Sequence, residues 1–172
     1  IDIAHKLDCS RLIVTTGNEV EGVSRRAQHE SILKSLREAA KLVEKAEITL
    51  LLEPLNVLVD HKGYYLSSSK EAFEIVREVN SLNVRVLYDI YHQQITEGNL
   101  ISTITSNIDL IGHFHAADVP GRHEFGIGEI NYANVLKKID ESGYGGFVGL
   151  EFKSLKDSRE ALKNVRKILE FL

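Results

Sequence analysis

Four ionisable residues stand where short apolar segments of the chain end: Glu53, Asp89, His115 and Glu151. The intervals between them are 36, 26 and 36 residues. A strand and its crossover helix take about 30 residues, so these intervals place one such side chain at the carboxyl end of each of four successive strands. Active sites of parallel α/β proteins are built at that end of the sheet. The spacing therefore predicts that the four side chains converge on one face.

Two glutamates, one aspartate and one histidine make a hard, oxygen-rich set of donors. Such a set suits Mn²⁺ or Mg²⁺, and Zn²⁺ or Co²⁺ are also compatible with it. A charged residue after an apolar strand is often only the first solvated loop position, and each of the four has that alternative. Buried carboxylates, however, are paired or bound to metal. The repeated pattern therefore favours a divalent-metal site.

The elements that would position these residues follow an α/β pattern, because short apolar runs alternate with longer amphipathic stretches. The runs are nearly continuous, as strands covered on both faces require. The predicted strands are Arg11–Thr15, Ile48–Glu53, Val84–Asp89, Leu110–Ala116 and Phe147–Phe152.

Helices are predicted between these strands. Arg25–Lys45 carries apolar residues at spacings of three and four with charged residues on the other face, which predicts a surface helix. Ser68, Asn131 and Asp157 have the residue types that cap helix N-termini, and Gly143 is expected to end the helix that Asn131 starts. A shorter helix is predicted from Ile1 to Leu7.

Composition favours one domain spanning residues 1–172, with 43% hydrophobic residues and a net charge of −4. Basic residues are dispersed among acidic ones, which argues against nucleic acid or an anionic membrane as partner. No apolar run approaches the roughly 18–20 residues that cross a bilayer, so we expect a soluble, cytoplasmic protein acting on a small molecule. The single cysteine, Cys9, is interpreted as a packing residue.

Four motifs carry a family resemblance: LEPLN at Leu52–Asn56, YDIYHQQITEGN at Tyr88–Asn99, IGHFHAADVPGRHEFGIGEINY at Ile111–Tyr132 and YGGFVGLEF at Tyr144–Phe152. They resemble the hydroxypyruvate isomerases, which belong to the xylose-isomerase-like TIM barrels together with ketose 3-epimerases and inosose-converting enzymes. The resemblance implies a (β/α)₈ barrel of which this chain carries the C-terminal part, strands four to eight with their helices.

The chain has no Met and opens on Ile1 within a predicted helix. We therefore expect the first three strands to be absent and the domain to be N-terminally incomplete. Two sheet edges would then lack partners, which makes a homo-oligomer a further possibility.

By motif, the resemblance implies that Glu53, Asp89, His115 and Glu151 are the metal ligands, the same four that spacing selects. Hydroxypyruvate isomerases can carry Gln at the position of His115, whereas ketose epimerases carry His, so the exact substrate stays open. Arg122 favours hydroxypyruvate, because its guanidinium could clamp a substrate carboxylate. His92 resembles the family's contact to a substrate oxygen, with a surface loop histidine as the alternative.

The chemistry implied is interconversion of hydroxypyruvate and tartronate semialdehyde, or of a related ketose and aldose, through an enediolate. A divalent cation would stabilise the developing negative charge. Glu53 and Glu151 are predicted to be catalytic as well as metal ligands, one removing the proton and the other returning it, in an order that the sequence leaves open.

Three alternatives remain: a ketose 3-epimerase or inosose-converting enzyme, a phosphodiesterase of the apurinic-endonuclease type, and a fragment without activity. The phosphodiesterase needs further histidines for its trinuclear zinc site and a basic face for DNA. Among the remaining residues, we expect His113 to lie beside His115 and Asn56 to contact the ligand carboxylates. Glu129 is expected to contact either Arg122 or a ligand.

Overall fold

The computed structural model describes residues 1–170, which contain one five-stranded parallel sheet with its strands in chain order. Its strands are β1 (Arg11–Val14), β2 (Thr49–Leu52), β3 (Val84–Asp89), β4 (Ile111–Ala116) and β5 (Val148–Leu150). Flat strands would separate β1 from β5 by about 19 Å. The Arg11 guanidinium nevertheless lies 5.4 Å from the centre of the Phe147 ring, so the sheet curves into a half-barrel. The predicted α/β class and parallel order are confirmed.

Helices connect the strands and lie on the outer side of the sheet. They are α1 (Asp2–Lys6), α2 (Arg25–Lys45), α3 (Ser69–Val79), α4 (Ile90–Thr96), α5 (Leu100–Ser106), α6 (Tyr132–Glu141) and α7 (Ser158–Leu169), with a 3₁₀ turn at Ile108–Leu110. The predicted caps Ser68, Asn131 and Asp157 each accept a hydrogen bond from a backbone N–H in the first turn of their helix. The sequence did not predict α4 and α5 as helices.

The main core lies between the sheet and these helices. Aromatic rings connect its layers: Phe73 of α3 stacks on Tyr88 of β3, and Tyr88 meets Phe114 of β4 edge to face. All three rings are buried. The even-numbered positions at the end of β3 therefore face the helices, and the odd-numbered positions, including Asp89, face the interior of the half-barrel.

A bulge at Gly112 changes the register between β3 and β4. Val86 pairs with Ile111, but Leu87 pairs with His113 and Asp89 with His115. A Cβ atom at position 112 would lie 2.7 Å from both Arg85 Cβ and Leu51 Cδ2, so only glycine fits there. Because one inserted residue reverses the faces of all later side chains, the bulge turns His115 toward the interior beside Asp89.

Four of the five predicted strands are shorter in the structure, and at β2 and β5 the difference leaves Glu53 and Glu151 one residue past the strand end. Their backbone N–H groups still continue the ladder, donating to Val14 O at 3.1 Å and to Ala116 O at 3.1 Å. Both side chains therefore keep the direction that the strand sets. Within residues 1–170, no helix has the length and apolar character needed to span a membrane.

Asp118 organises the loop that follows β4. Its carboxylate is fully buried and accepts hydrogen bonds from the backbone N–H groups of Val119, Gly126, Gly128 and Ile130. Replacing Asp118 by Ala would remove the acceptor of four backbone N–H groups, one of which belongs to the buried residue Ile130. We expect the free energy of unfolding to fall by about 3 kcal/mol or more.

Urea unfolding would measure this change. The exposed Asp140→Ala variant is the control and should change the free energy of unfolding by less than about 0.5 kcal/mol. Equal stabilities for the two variants would show that Asp118 does not hold the loop.

Candidate metal centre

The structure brings together the four side chains that spacing selected. Glu53, Asp89, His115 and Glu151 each offer one ligand atom, and these four atoms all lie within 4.8 Å of one another. Glu53 and Asp89 are buried, His115 is half-buried and Glu151 is exposed. Three carboxylates and one imidazole thus form a cluster that is closed by protein on one side and accessible from the other.

His115 lies between two of the carboxylates. Its Nδ1 atom is 3.0 Å from Glu151 Oε2 and 3.7 Å from Glu53 Oε1. This buried atom has no hydrogen-bond partner within residues 1–170. Burial by itself lowers the pKa of His115, but the Glu151 and Glu53 carboxylates outweigh it and raise that pKa to about 9. The cluster therefore attracts positive charge at this point.

The pKa values of Asp89 and Glu151 are also shifted by their surroundings in the cluster. Burial raises the pKa of Asp89 to about 7, and the nearby Glu53 adds to that effect although Arg122 opposes it. Glu151 is influenced chiefly by His115, whose proximity lowers the pKa of Glu151 to about 2, with Arg122 contributing. A divalent ion bound among these oxygens would stabilise the ionised forms of Asp89 and Glu151.

The predicted substrate residue Arg122 also lies at the cluster. Its Nη2 atom is 2.5 Å from Glu151 Oε2 and 3.3 Å from Asp89 Oδ2. The guanidinium carbon of Arg122 lies 5.1 Å from the centre of the Tyr91 ring, in a cation–π contact. Arg122 itself has a φ of 60°, so the loop holds it in a left-handed conformation that points it back at the strand ends.

The second predicted substrate residue, His92, is buried in the first turn of α4 and not in a surface loop. Its Nε2 atom lies 3.5 Å from Asp89 Oδ2. Burial lowers the pKa of His92 to about 3, so the ring is neutral. Asn56 contacts His92 and, contrary to our expectation, makes no hydrogen bond to the four clustered residues.

Two other residues that the sequence singled out lie outside the cluster. Glu129 accepts from Gln94 and not from Arg122. His113 does share the interior face with His115, as predicted, with ring centres 5.1 Å apart. It is not among the four clustered residues.

Gly149, which has no side chain to suggest a role in the sequence, pairs with His115 across β4 and β5. A Cβ atom there would lie 3.0 Å from His113 Nε2 and 3.1 Å from His115 Cδ2. We predict that Gly149→Ala displaces the His115 ring and weakens the affinity for Mn²⁺ by about 10–100-fold.

Calorimetric titration with Mn²⁺ would measure this affinity. Gly145→Ala is the matched control, because a Cβ at Gly145 meets nothing within 4 Å. A wild-type affinity for Mn²⁺ in Gly149→Ala would show that the His115 ring tolerates a Cβ atom at position 149, and would contradict this prediction.

Comparison with known proteins supports the fold. The chain matches the family described as xylose isomerase-like TIM barrel over residues 1–172. It is 37% identical to the hydroxypyruvate isomerase of Escherichia coli over 163 residues, covering 95% of this chain and 63% of that protein. It is 33% identical to a 2-oxo-tetronate isomerase of Cupriavidus necator over 153 residues, covering 89% of this chain and 58% of that protein.

A solved structure agrees with this similarity. The crystal structure of an AP endonuclease of family 2 from Brucella melitensis superposes with a TM-score of 0.91 at 34% identity, covering 96% of this chain and 64% of that one. The chain thus spans about six tenths of the length of the proteins it matches. On the family match over its whole length, and on a parallel half-barrel whose strand ends carry the site, the chain belongs to the xylose isomerase-like TIM barrel family.

Proposed function

We propose that this chain provides the metal site and the catalytic residues of an isomerase acting on a small hydroxy keto acid or sugar. The observation that carries the proposal is the convergence of Glu53, Asp89, His115 and Glu151 within 4.8 Å at the carboxyl ends of four strands. The similarity to a hydroxypyruvate isomerase and a 2-oxo-tetronate isomerase supports the same reaction class.

The residues present fit a divalent cation. His115 has a buried Nδ1 atom without a hydrogen-bond partner in residues 1–170, and it faces two carboxylates. The donor set is the one that Mn²⁺ and Mg²⁺ prefer. When bound, the ion would supply Lewis-acid stabilisation of the charge that develops on the substrate's carbonyl and neighbouring hydroxyl oxygens.

The protein's own residues would move the proton. The Glu53 and Glu151 carboxylates both face the Nδ1 atom of His115, so a substrate bound at the cluster would present two neighbouring carbons to two bases. One carboxylate would take the proton next to the carbonyl, and the other would return it to the adjacent carbon. Arg122 would turn from its present carboxylate partners to a carboxylate of the substrate.

Hydroxypyruvate is the substrate that we propose first, and tartronate semialdehyde is its product. The guanidinium of Arg122 at the cluster supports an acid substrate. A ketose 3-epimerase or inosose-converting activity is the second candidate, because His115 stands where ketose epimerases carry His. A cytoplasmic location and a single domain over residues 1–172 stay predictions.

The test is proton exchange in deuterated water. The protein is incubated with Mn²⁺ or Mg²⁺ and, in separate reactions, with hydroxypyruvate, a 2-oxo-tetronate and a panel of free ketoses. We expect deuterium at the carbon next to the carbonyl of hydroxypyruvate, with tartronate semialdehyde formed. Exchange with ketoses alone would favour the epimerase. No exchange with any compound would reject the proposal and favour a fragment without activity.

A further inference from the structure

The buried side chain of Asn56 uses all of its hydrogen-bonding capacity in a network beside the metal centre. Its Oδ1 atom accepts from the backbone N–H of Val59 at 2.9 Å and of Asp60 at 3.1 Å. Backbone nitrogens can only donate, so these two bonds fix which end of the amide is oxygen. The Nδ2 atom, at the other end, donates to Asp60 Oδ2 at 2.8 Å and faces His92 Nδ1 at 2.7 Å.

Two donors of Asn56 therefore converge on one nitrogen of His92. Besides Nδ2, the backbone N–H of Asn56 points at His92 Nδ1 at 3.3 Å. Since neither donor can accept, Nδ1 must be the acceptor and the ring proton must sit on Nε2. This assignment follows from the bonding alone.

The protonated nitrogen of His92 faces the metal centre with its hydrogen uncommitted. Nε2 is 3.5 Å from Asp89 Oδ2, and it has no hydrogen-bond partner within residues 1–170 although His92 is fully buried. An N–H group held in this way next to the ligand carboxylates is available to an oxygen atom of a bound molecule.

We propose that Asn56 is a positioning residue that locks His92 in its Nε2–H tautomer, so that the imidazole donates a hydrogen bond to the substrate. This inference deepens the proposed function and rests on it for the substrate's part. The tautomer itself can be tested without any activity.

The network extends to Arg122, the other predicted substrate residue. Asp60 Oδ2 accepts from Asn56 and also from the Tyr91 hydroxyl at 2.8 Å. Tyr91 in turn carries the Arg122 guanidinium on its ring. Asp60 thus connects Asn56, which contacts His92, to Tyr91, which contacts Arg122. These links hold the two predicted substrate contacts in a fixed relative position.

The decisive variant is Asn56→Asp, which keeps the size and the Oδ1 acceptor but turns the donor facing His92 into an acceptor. The chain, labelled with ¹⁵N, is studied by long-range ¹H–¹⁵N correlation in Mg²⁺ and again in chelator, with His92→Gln to assign the ring. In the wild type we expect Nε2 protonated, Nδ1 unprotonated and a coupling between Nδ1 and the Asn56 amide nitrogen. In Asn56→Asp the proton should appear on Nδ1.

Two further variants isolate the effect. The double variant Asn56→Asp with Asp60→Asn removes the repulsion between the two carboxylates yet leaves an acceptor facing His92, so it should fold and still carry the proton on Nδ1. Thr96→Val is the matched control, because Thr96 donates only to the backbone oxygen of His92, and it should keep the wild-type tautomer.

A wild-type ring protonated on Nδ1, or an Asn56→Asp chain that stays protonated only on Nε2, would overturn the inference. With hydroxypyruvate as substrate, Asn56→Asp should lower kcat by about 10–100-fold and leave the Mn²⁺ affinity unchanged. Should the wild type show no activity, the proposed function fails, while the tautomer measurement still decides the role of Asn56.

Discussion

The variant Glu151→Gln is expected to lose deuterium exchange with hydroxypyruvate by about 10²–10⁴-fold, the usual contribution of a positioned acid or base. Glutamine keeps the length of Glu151 and one oxygen, but it cannot take up a proton at neutral pH. Glu53→Gln should cause a loss of the same order, because the proposed mechanism uses both of the carboxylates that face His115.

The measurement must separate proton transfer from metal binding, because both glutamates belong to the cluster. Exchange rates are therefore compared at Mn²⁺ concentrations that saturate each variant, as judged by titration. Glu38→Gln is the control, since Glu38 is an exposed residue of α2 whose partner is Lys41. Exchange at the wild-type rate in Glu151→Gln with bound Mn²⁺ would remove Glu151 from the mechanism.

Divalent metal is expected to stabilise the folded chain strongly. At a metal concentration of about 100 times Kd, binding to the native state alone adds about 2.7 kcal/mol, which for this chain length corresponds to a rise in Tm of about 5–10 °C. In the metal-free protein, three clustered carboxylates have one imidazole and one guanidinium beside them. A bound cation would reduce the repulsion between the carboxylates. Thermal unfolding with Mn²⁺, with Mg²⁺ and with chelator would measure the effect.

Asp89→Asn should abolish most of this stabilisation. Asp89 also caps α4, its Oδ1 atom accepting from the N–H groups of Tyr91 and His92, and asparagine caps helices as well as aspartate does. The variant thus removes a ligand charge but keeps the cap. Asp157→Asn makes the same change at the cap of α7 and should retain the full metal response. Equal responses in both variants would show that the ion binds elsewhere.

The sequence by itself determined the order of the strands and the identity of the four clustered residues. Buried parallel strands read as continuous apolar runs, and a ligand-type residue at the end of a run stays at the carboxyl edge whatever the details of the connecting helices. This is why Glu53, Asp89, His115 and Glu151 could be selected without coordinates. Long helices such as α2 could also be predicted, because the apolar pattern repeats several times over its 21 residues.

Short local features were beyond such reasoning. Helices α4 and α5 have seven residues each, too few for a clear period. The proposed role of Asn56 depends on its hydrogen bonds to Val59, Asp60 and His92, and Asn56 meets His92 only in the folded chain. Gly149 carries no side chain to suggest chemistry, yet its missing Cβ leaves the space that His115 occupies.

The register of β4 was decided by the tertiary structure alone. With an unbroken ladder, continuing the pairing of Val86 with Ile111 would set Phe114 opposite Asp89. The bulge at Gly112 places His115 there instead. Glycine is required at that point because β2 and β3 leave no room for a Cβ. A sequence names the residue types that can bind an ion, whereas the contacts between neighbouring strands decide which of them face it.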